Sequence, residues 1–164
     1  MSERSPFEWA SIPFKKYAVF SGRAPRAEYW WFYLAMIVAY LVALTIDSLV
    51  GVELLGPYGV VTCVLGLALI LPSLAVTFRR LHDTNRSGWW ILIVVVPYFV
   101  MGIMMGMSMA SGDMTGMASA GLIGLVALAG AIAMLVFMVL PGTNGDNRFG
   151  PDPYAGGAGS TVAA

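Results

Sequence analysis

The sequence predicts an all-α membrane protein, a four-transmembrane-helix bundle with both termini cytoplasmic and a short interfacial helix near its N-terminus. Three observations predict it. Of the 164 residues, 59% are hydrophobic and only 11% are charged, whereas about 25% of residues in a typical soluble domain are charged. Four apolar stretches are long enough to cross a bilayer, which takes about 20 residues. All nine lysines and arginines fall on one side of these stretches.

The chain divides into three segments. Residues 1–28 form a cytoplasmic N-terminal segment, residues 29–140 the membrane domain, and residues 141–164 a cytoplasmic tail. The first segment lacks the basic region, apolar core and small-residue cleavage site of a secretory signal, so we expect the first span to be retained. The tail from Tyr154 onward is small and uncharged, and we expect it to be disordered.

A short amphipathic helix is predicted within the N-terminal segment, beginning with a proline and lying at the membrane interface. The residues that suggest it are Ser11, Pro13, Phe14, Tyr17 and Ala18. Proline suits the first turn of a helix, and the apolar spacing gives one face to the bilayer. Lys15 and Lys16 would then face anionic headgroups.

The predicted spans cover residues 29–50, 58–78, 89–109 and 120–140. Pro72 and Pro97 fall inside two of them, and we interpret them as kinks because membrane helices tolerate proline. The Gly- and Met-rich residues 101–121 are expected to form the outer loop between the third and fourth spans.

The distribution of charge sets the predicted orientation, because basic residues concentrate in short cytoplasmic loops. The basic residues before the first span, between the second and third, and after the fourth are Arg4, Lys15, Lys16, Arg23, Arg26, Arg79, Arg80, Arg86 and Arg148. The opposite side holds the acids Glu53 and Asp113, with Asp47 close by. Four spans with both ends cytoplasmic satisfy every one of these charges.

Three polar motifs are brought to the same membrane face by this topology. They are FSGRAPRAEYWWF at 20–32, RRLHDTNRSGWW at 79–90 and PGTNGDNRFGPDP at 141–153. The candidate anion- or lipid-binding residues are Arg23, Arg26, Arg79, Arg80, Arg86 and Arg148, with Glu28, His82, Asp83 and Asn147 as a supporting polar cluster. None of the motifs has the spacing of a catalytic signature, so we expect no catalytic residues.

These motifs resemble a bacterial family, the domain of unknown function 805. The matching residues are Phe20, Gly22, Arg23, Arg26, Glu28, Tyr29 and Trp30, then residues 79–83 and 86–90, then residues 147–150. The resemblance covers residues 15–153, with the motifs in the order typical of the family. It implies a four-span, multi-pass protein of the bacterial inner membrane and implies no established activity.

The charged cluster has three interpretations. Asp83 can pair with Arg79 or Arg80 in a helical turn, so the charges can form a structural clasp that joins the N-terminal motif to Arg148. Several guanidinium groups can instead converge on a phosphate, which suits their planar fork. Such an anion would be a lipid headgroup or a phosphorylated envelope intermediate. A catalytic interpretation makes His82 a base or nucleophile with Asp83 as its partner.

Other features suggest alternatives elsewhere in the chain. Asp47 lies within a span, where a carboxylate is a candidate for ion or proton movement. Methionine thioethers in the 101–117 stretch are candidate Cu(I) ligands, although methionine also serves as an apolar filler. Gly102 and Gly106, with Gly124, Ala127 and Ala131, let helices approach closely within one subunit or in a homo-oligomer.

We therefore expect a non-enzymatic integral inner-membrane protein whose arginine-rich cytoplasmic face binds anionic lipid headgroups or a partner protein. A small oligomeric transporter or channel is the alternative. The formal net charge of zero indicates no nucleic-acid partner. The single cysteine, Cys63, excludes an intrachain disulfide, and we expect no metal and no cofactor.

Overall fold

The computed structural model of the chain describes residues 4–51, 53–55, 58–112 and 114–154. Its elements are α1 (Pro6–Lys15), α2 (Arg26–Val50), β1 (Glu53–Leu55), β2 (Tyr58–Gly59), α3 (Val60–Asp83), a 3₁₀ helix (Gly88–Ile91), α4 (Leu92–Ser111) and α5 (Met114–Val139). The predicted disorder of the tail concerns residues 155–164, which lie outside the described residues.

Four helical segments among the described residues are long and apolar enough to cross a membrane, as predicted. They are Arg26–Val50, Val60–Asp83, Gly88–Ser111 and Ala118–Val139. Pro72 and Pro97 lie inside α3 and α4, which confirms that they are not span boundaries.

The bounds of α3 differ from the predicted span at both ends. Tyr58 and Gly59 belong to β2, which pairs antiparallel with β1 in a short ribbon. At the other end the helix continues past Phe78 to Asp83. The second polar motif therefore starts on regular helix, and its first five residues have fixed positions.

The interfacial helix begins earlier than predicted, since α1 starts at Pro6 and Pro13 lies buried inside it. The expected start near Ser11 and Pro13 was wrong because a capping box precedes it. The Ser5 hydroxyl accepts the N–H of Glu8 at 3.2 Å, and the Glu8 carboxylate accepts the N–H of Ser5 at 2.6 Å. This reciprocal pair satisfies two free donors and fixes the first turn.

The expected outer loop at residues 101–121 was also wrong. Helix α4 continues through the methionines to Ser111, and α5 begins at Met114. Methionine is a good helix former. The chain reverses at Gly112, whose φ of 68° lies in the left-handed region that ends many helices. The Cu(I) interpretation depends partly on the Met114 and Met117 side chains, which lie outside the described residues.

The membrane helices pack as two pairs. Helices α2 and α3 share the buried core, and α4 and α5 pack closely along each other, while α5 makes only sparse contacts with α2 and α3. The core consists of Ala24, Tyr29, Phe32, Leu69, Val76, Leu81 and Met138. Gly130 faces the carbonyl of Ile93 so closely that any side chain would overlap it. The α4–α5 contact therefore requires glycine at that position.

Some of the small residues of α4 and α5 pack inside the subunit, and others face no neighbouring atom in the part of the chain that the structure describes. Ala127 is buried, and a Cβ on Gly124 would come within 3.2 Å of the Met101 sulfur. They serve packing inside the subunit. Gly102 and Gly106 face no atom within 4 Å of an added Cβ among the described residues. Homo-oligomer formation through that face stays a prediction.

Asp47 caps a neighbouring helix at the end of the molecule that holds the ribbon. Its two carboxylate oxygens accept the N–H groups of Val61 at 3.0 Å and Thr62 at 2.8 Å. These are free donors in the first turn of α3, and negative charge is favourable there. Gly59 passes so close to the carboxylate that a Cβ would overlap it. The carboxylate thus connects α2 to the start of α3.

Candidate functional site

The three polar motifs meet at the opposite end of the bundle, which we call the polar end. It comprises the start of α2, the last turn of α3 and the segment that follows α5. The N–H of Ala24 bonds to the carbonyl of Arg79 at 2.9 Å, and the N–H of Thr143 bonds to the carbonyl of Asp83 at 2.8 Å. Both flanking segments are therefore hydrogen-bonded to the end of α3.

Asp83 is the centre of this arrangement. Its carboxylate accepts from Nε of Arg23 at 3.0 Å and from Nη1 of Arg80, and all three side chains are almost completely buried. Gly142 passes directly over the carboxylate, where a Cβ would overlap it. Asp83 thus joins the N-terminal motif to α3, and Gly142 of the C-terminal motif covers its carboxylate.

The remaining nitrogens of these two arginines bind backbone carbonyls. Arg23 donates to Gly145 at 2.6 Å and to Thr143 at 2.5 Å. Arg80 donates to Met138 at 3.2 Å and also to Leu140. Every guanidinium nitrogen of Arg23 and Arg80 is therefore engaged, and the segment after α5 is held by donors from both other motifs.

A second buried pair lies beside the first. Arg79 donates through Nη1 to the carboxylate of Glu28 on α2, and the exposed fractions of the two residues are 0% and 2%. Among the described residues, Nε and Nη2 of Arg79 have no hydrogen-bond partner. The sequence left open whether Asp83 pairs with Arg79 or Arg80, and the structure assigns it to Arg80. We call Arg23, Arg79, Arg80, Glu28 and Asp83 the arginine clasp.

His82 and Asn147 attach the third motif to the clasp. The imidazole stacks on Phe149 with ring centroids 3.9 Å apart, and its Nδ1 lies 3.2 Å from the carbonyl of Gly22. Asn147 donates to the His82 carbonyl at 2.9 Å. Asp83 faces its two arginines instead of the His82 ring, so the hypothetical His82–Asp83 catalytic pair is not formed.

The other three candidate arginines lie at the rim. Exposed Arg26 donates to the Leu140 carbonyl at 3.1 Å. Arg86 stacks its guanidinium 4.2 Å from the centre of the Phe137 ring. Exposed Arg148 donates to the Asn85 carbonyl at 3.2 Å and lies 4.7 Å from the Phe149 ring. The six predicted arginines thus share one end of the molecule without converging on a common open site.

A cleft of about 610 Å³ opens beside the clasp, between α1, the loop at Gly22 and residues 151–153. Its charged lining consists of Arg4, Lys15, Lys16 and Arg23 with Glu8, Glu28 and Asp152. Sequence reasoning named Arg23 and Glu28 but missed this cleft. The Ser5–Glu8 capping-box spacing could have revealed it, because it places α1 early enough to form one wall.

Two acids of the cleft, exposed Glu8 and half-buried Asp152, are stabilised in their ionised form by backbone donors. The N–H of Ser5 holds the pKa of Glu8 below its usual value. The N–H groups of Tyr154 and Gly145 do the same for the pKa of Asp152. Hydrogen bonds to a carboxylate favour its charged state, so both acids carry negative charge at neutral pH.

Comparison with known proteins agrees with this architecture. The family described as "Protein of unknown function (DUF805)" matches residues 17–151. The inner membrane protein YhaH of Escherichia coli strain K12 is 35% identical over 146 residues, 89% of this chain and 96% of its own length. The inner membrane protein YhaI of the same strain is 35% identical over 149 residues, 91% of this chain and 98% of its own length. No solved structure matches the chain.

Proposed function

This chain belongs to the DUF805 family, and from that membership and its polar end we propose that it is a non-enzymatic protein that binds anionic lipid headgroups at the membrane surface. It is a multi-pass inner-membrane protein. The observation that carries the proposal is the contrast between Arg23, Arg79 and Arg80, which are buried in ion pairs, and Lys15 and Lys16, which are exposed at the end of α1.

The buried set supports a structural role for the clasp. Arg23, Arg79 and Arg80 are at most 7% exposed. Arg79 and Arg80 are closed off from a headgroup phosphate, and Arg23, which lines the cleft, has all its guanidinium nitrogens engaged. A buried charge is tolerated only when it is paired and hydrogen-bonded. The ion pairs to Asp83 and Glu28 supply this compensation.

The exposed set supports lipid binding by α1. Lys15 and Lys16 are exposed at the end of that helix, and among the described residues no carboxylate lies within ion-pair distance of them. Phe7 and Phe14 on the same helix are 82% and 50% exposed. Exposed aromatic and basic residues on one short helix are typical of segments that lie in the bilayer interface.

The site chemistry favours binding over catalysis. The Asp83 carboxylate is held by two arginines, and His82 is stacked on Phe149. Both side chains are thus engaged in contacts within the polar end, which supports binding over catalysis. The transporter alternative has less support, because Asp47 is engaged in capping α3.

Orientation is part of the proposal. We place the polar end and both termini in the cytoplasm, since all the basic residues fall on that side and the cytoplasmic leaflet carries the anionic lipids that attract them. Green fluorescent protein fused to the C-terminus should fluoresce, and alkaline phosphatase at the same position should be inactive. An active phosphatase fusion would contradict the proposed orientation.

Native mass spectrometry of the detergent-purified protein with added phosphatidylglycerol and phosphatidylcholine tests the lipid proposal. We expect more phosphatidylglycerol adducts on the wild type, and a reduction of roughly thirtyfold in the Lys15→Gln, Lys16→Gln variant, at about 1 kcal/mol for each of the two basic residues at an anionic surface. Arg148→Gln is the control, because Arg148 is bound to Asn85 and Phe149. Unchanged adducts in the lysine variant would contradict the proposal.

A further inference from the structure

We propose that the cleft beside α1 binds a phosphoethanolamine headgroup, a zwitterion with one phosphodiester and one primary ammonium. This inference rests on the proposed function, which is lipid binding beside α1. It adds a discrete site for one zwitterionic headgroup. The cleft has a volume of about 610 Å³ and carries side chains of both charges.

The phosphate would be held by the exposed cations of the cleft. Arg4, Lys15 and Lys16 line it, and none has a carboxylate within ion-pair distance among the described residues. Arg4 lies 5.0 Å from the ring centre of Trp9, which also lines the cleft. Charged donors bind phosphate oxygens more strongly than neutral ones. These cations are therefore free to do so.

The acids of the cleft are what distinguish a zwitterion from a simple anion. Glu8 and Asp152 accept only backbone N–H groups among the described residues, from Ser5 for the first and from Gly145 and Tyr154 for the second. A headgroup with only negative charge has no charged donor to offer these carboxylates inside the cleft. A primary ammonium instead supplies three donors.

The other two charged residues of the lining do not change this balance. Arg23 is paired with Asp83, and Glu28 is paired with Arg79, within the arginine clasp. The charges that remain available are Arg4, Lys15, Lys16 and Glu8 on or beside α1, and Asp152 on the C-terminal segment. A ligand with both signs of charge matches this lining best.

The surrounding bilayer is the source of the ligand that the structure favours. The hydroxyl of Tyr17, two residues after α1, donates to the carbonyl of Ala68 in the membrane-spanning helix α3. The exposed rings of Phe7 and Phe14 lie on α1. The segment around α1 is therefore attached to a membrane-spanning helix and carries exposed apolar rings, so a lipid of the surrounding bilayer can reach the cleft without leaving the membrane.

Native mass spectrometry with equal amounts of phosphatidylethanolamine, phosphatidylcholine and phosphatidylglycerol, all with the same acyl chains, tests the inference. The choline headgroup has no N–H donor. The amount of protein with one bound phosphatidylethanolamine, divided by the amount with one bound phosphatidylcholine, therefore reports recognition of the ammonium. We expect a ratio of about three in the wild type, as for an exposed charge pair. Glu8→Gln should lower it toward one, while glutamine preserves the capping box.

Two further variants complete the design. Asp152→Asn should also lower the ratio. Asp146→Asn is the matched control, because Asp146 is exposed on the same segment outside the cleft and asparagine keeps the side-chain oxygen that accepts the N–H of Asp152. The control should keep the wild-type ratio.

Equal binding of the ethanolamine and choline lipids by the wild type would overturn the inference. So would a preference that survives in both Glu8→Gln and Asp152→Asn. If glycerophosphoethanolamine shows binding sensitive to Glu8→Gln while the lipid does not, the ligand is a soluble ester and the lipid assignment fails. Phosphatidylglycerol adducts lost in the Lys15→Gln, Lys16→Gln variant report separately on the proposed function, so the two can fail independently.

Discussion

The arginine clasp and the cleft beside it lie at the same end of the molecule and are built from the same kinds of charge. In the clasp, arginines and carboxylates are at most 7% exposed and are joined in ion pairs. In the cleft, Lys15, Lys16 and Glu8 are exposed and form no ion pair among the described residues. Buried charge here is paired within the protein, and exposed charge is open to a ligand.

The difference teaches that a conspicuous arginine motif is not by itself a binding site. Arg79 and Arg80 form a conspicuous adjacent basic pair in the sequence, yet they are the most deeply buried arginines. Removing one partner of a buried ion pair is costly because the other is left without compensation. Substitutions in the clasp should therefore lower the free energy of unfolding, whereas substitutions in the cleft should weaken lipid binding.

The largest expected effect comes from breaking the clasp at Asp83. Asp83→Asn leaves Arg23 and Arg80 buried with no counter-charge, and we expect a loss of about 3–5 kcal/mol in the free energy of unfolding. Thermal unfolding in detergent measures it. Asp146→Asn, at an exposed acid of the neighbouring segment, should stay within about 0.5 kcal/mol of the wild type. Equal melting temperatures for both variants would show that the clasp does not hold the fold.

A smaller effect is expected at the other end, where a buried carboxylate has backbone partners instead of arginines. Asp47→Asn turns an amide N–H₂ toward the N–H of Val61 or Thr62, and we expect a loss of about 1 kcal/mol, as for a lost helix cap. Faster hydrogen exchange should be confined to the first turn of α3. A loss of ion or proton flux in proteoliposomes, without a loss of stability, would instead favour the transporter alternative.

The attachment of α1 to the bundle provides a finer test. Pro72 lacks the N–H that would bond to Ala68, and the Tyr17 hydroxyl supplies a donor to that carbonyl. Tyr17→Phe should cost about 0.6 kcal/mol, the mean for such bonds in membranes. In a Pro72→Ala background the same change should cost less, because residue 72 then donates to Ala68. A double-mutant cycle without coupling would refute this role of Tyr17.

The smallest effect should come from protonating Glu8. Its pKa in the folded protein lies below the usual 4.5 because it accepts the N–H of Ser5. The capping contribution is therefore complete above the usual pKa and is lost as the pH falls through the lowered one. Hydrogen-exchange protection of α1 should decrease between neutral pH and about pH 3, and Glu8→Gln should remove this dependence. Hydrogen-exchange protection of α1 that does not change with pH in the wild type would contradict a stabilising role for the Ser5–Glu8 capping box.

The fold was largely predictable because the hydropathy of four spans and the position of every basic residue are properties of the sequence itself. The meeting of the three motifs at one end followed from that topology. The individual partners did not. Whether Asp83 pairs with Arg79 or Arg80 depends on the side of α3 that faces α2, and the Arg23 partners Thr143 and Gly145 are backbone carbonyls, which carry no sequence signal.

The errors had physical causes that were present in the sequence. Ser5 and Glu8 have capping-box spacing, and giving Pro13 more weight than this box displaced the start of α1. Glycine-rich composition was interpreted as a loop at residues 101–121, whereas membrane helices accept glycine freely. Among the described residues of that stretch, Gly112, with its positive φ, ends α4.

The position of the clasp carbonyls along the chain imposes an order on biogenesis. Arg23 and Asp83 are synthesised long before residues 143 and 145, whose carbonyls complete the hydrogen bonding of Arg23. Helices α2 and α3 therefore enter the membrane with the hydrogen bonding of Arg23 incomplete, and the segment after α5 completes it later. A chain truncated after α5 would insert all its spans and still lack the segment that completes its fold.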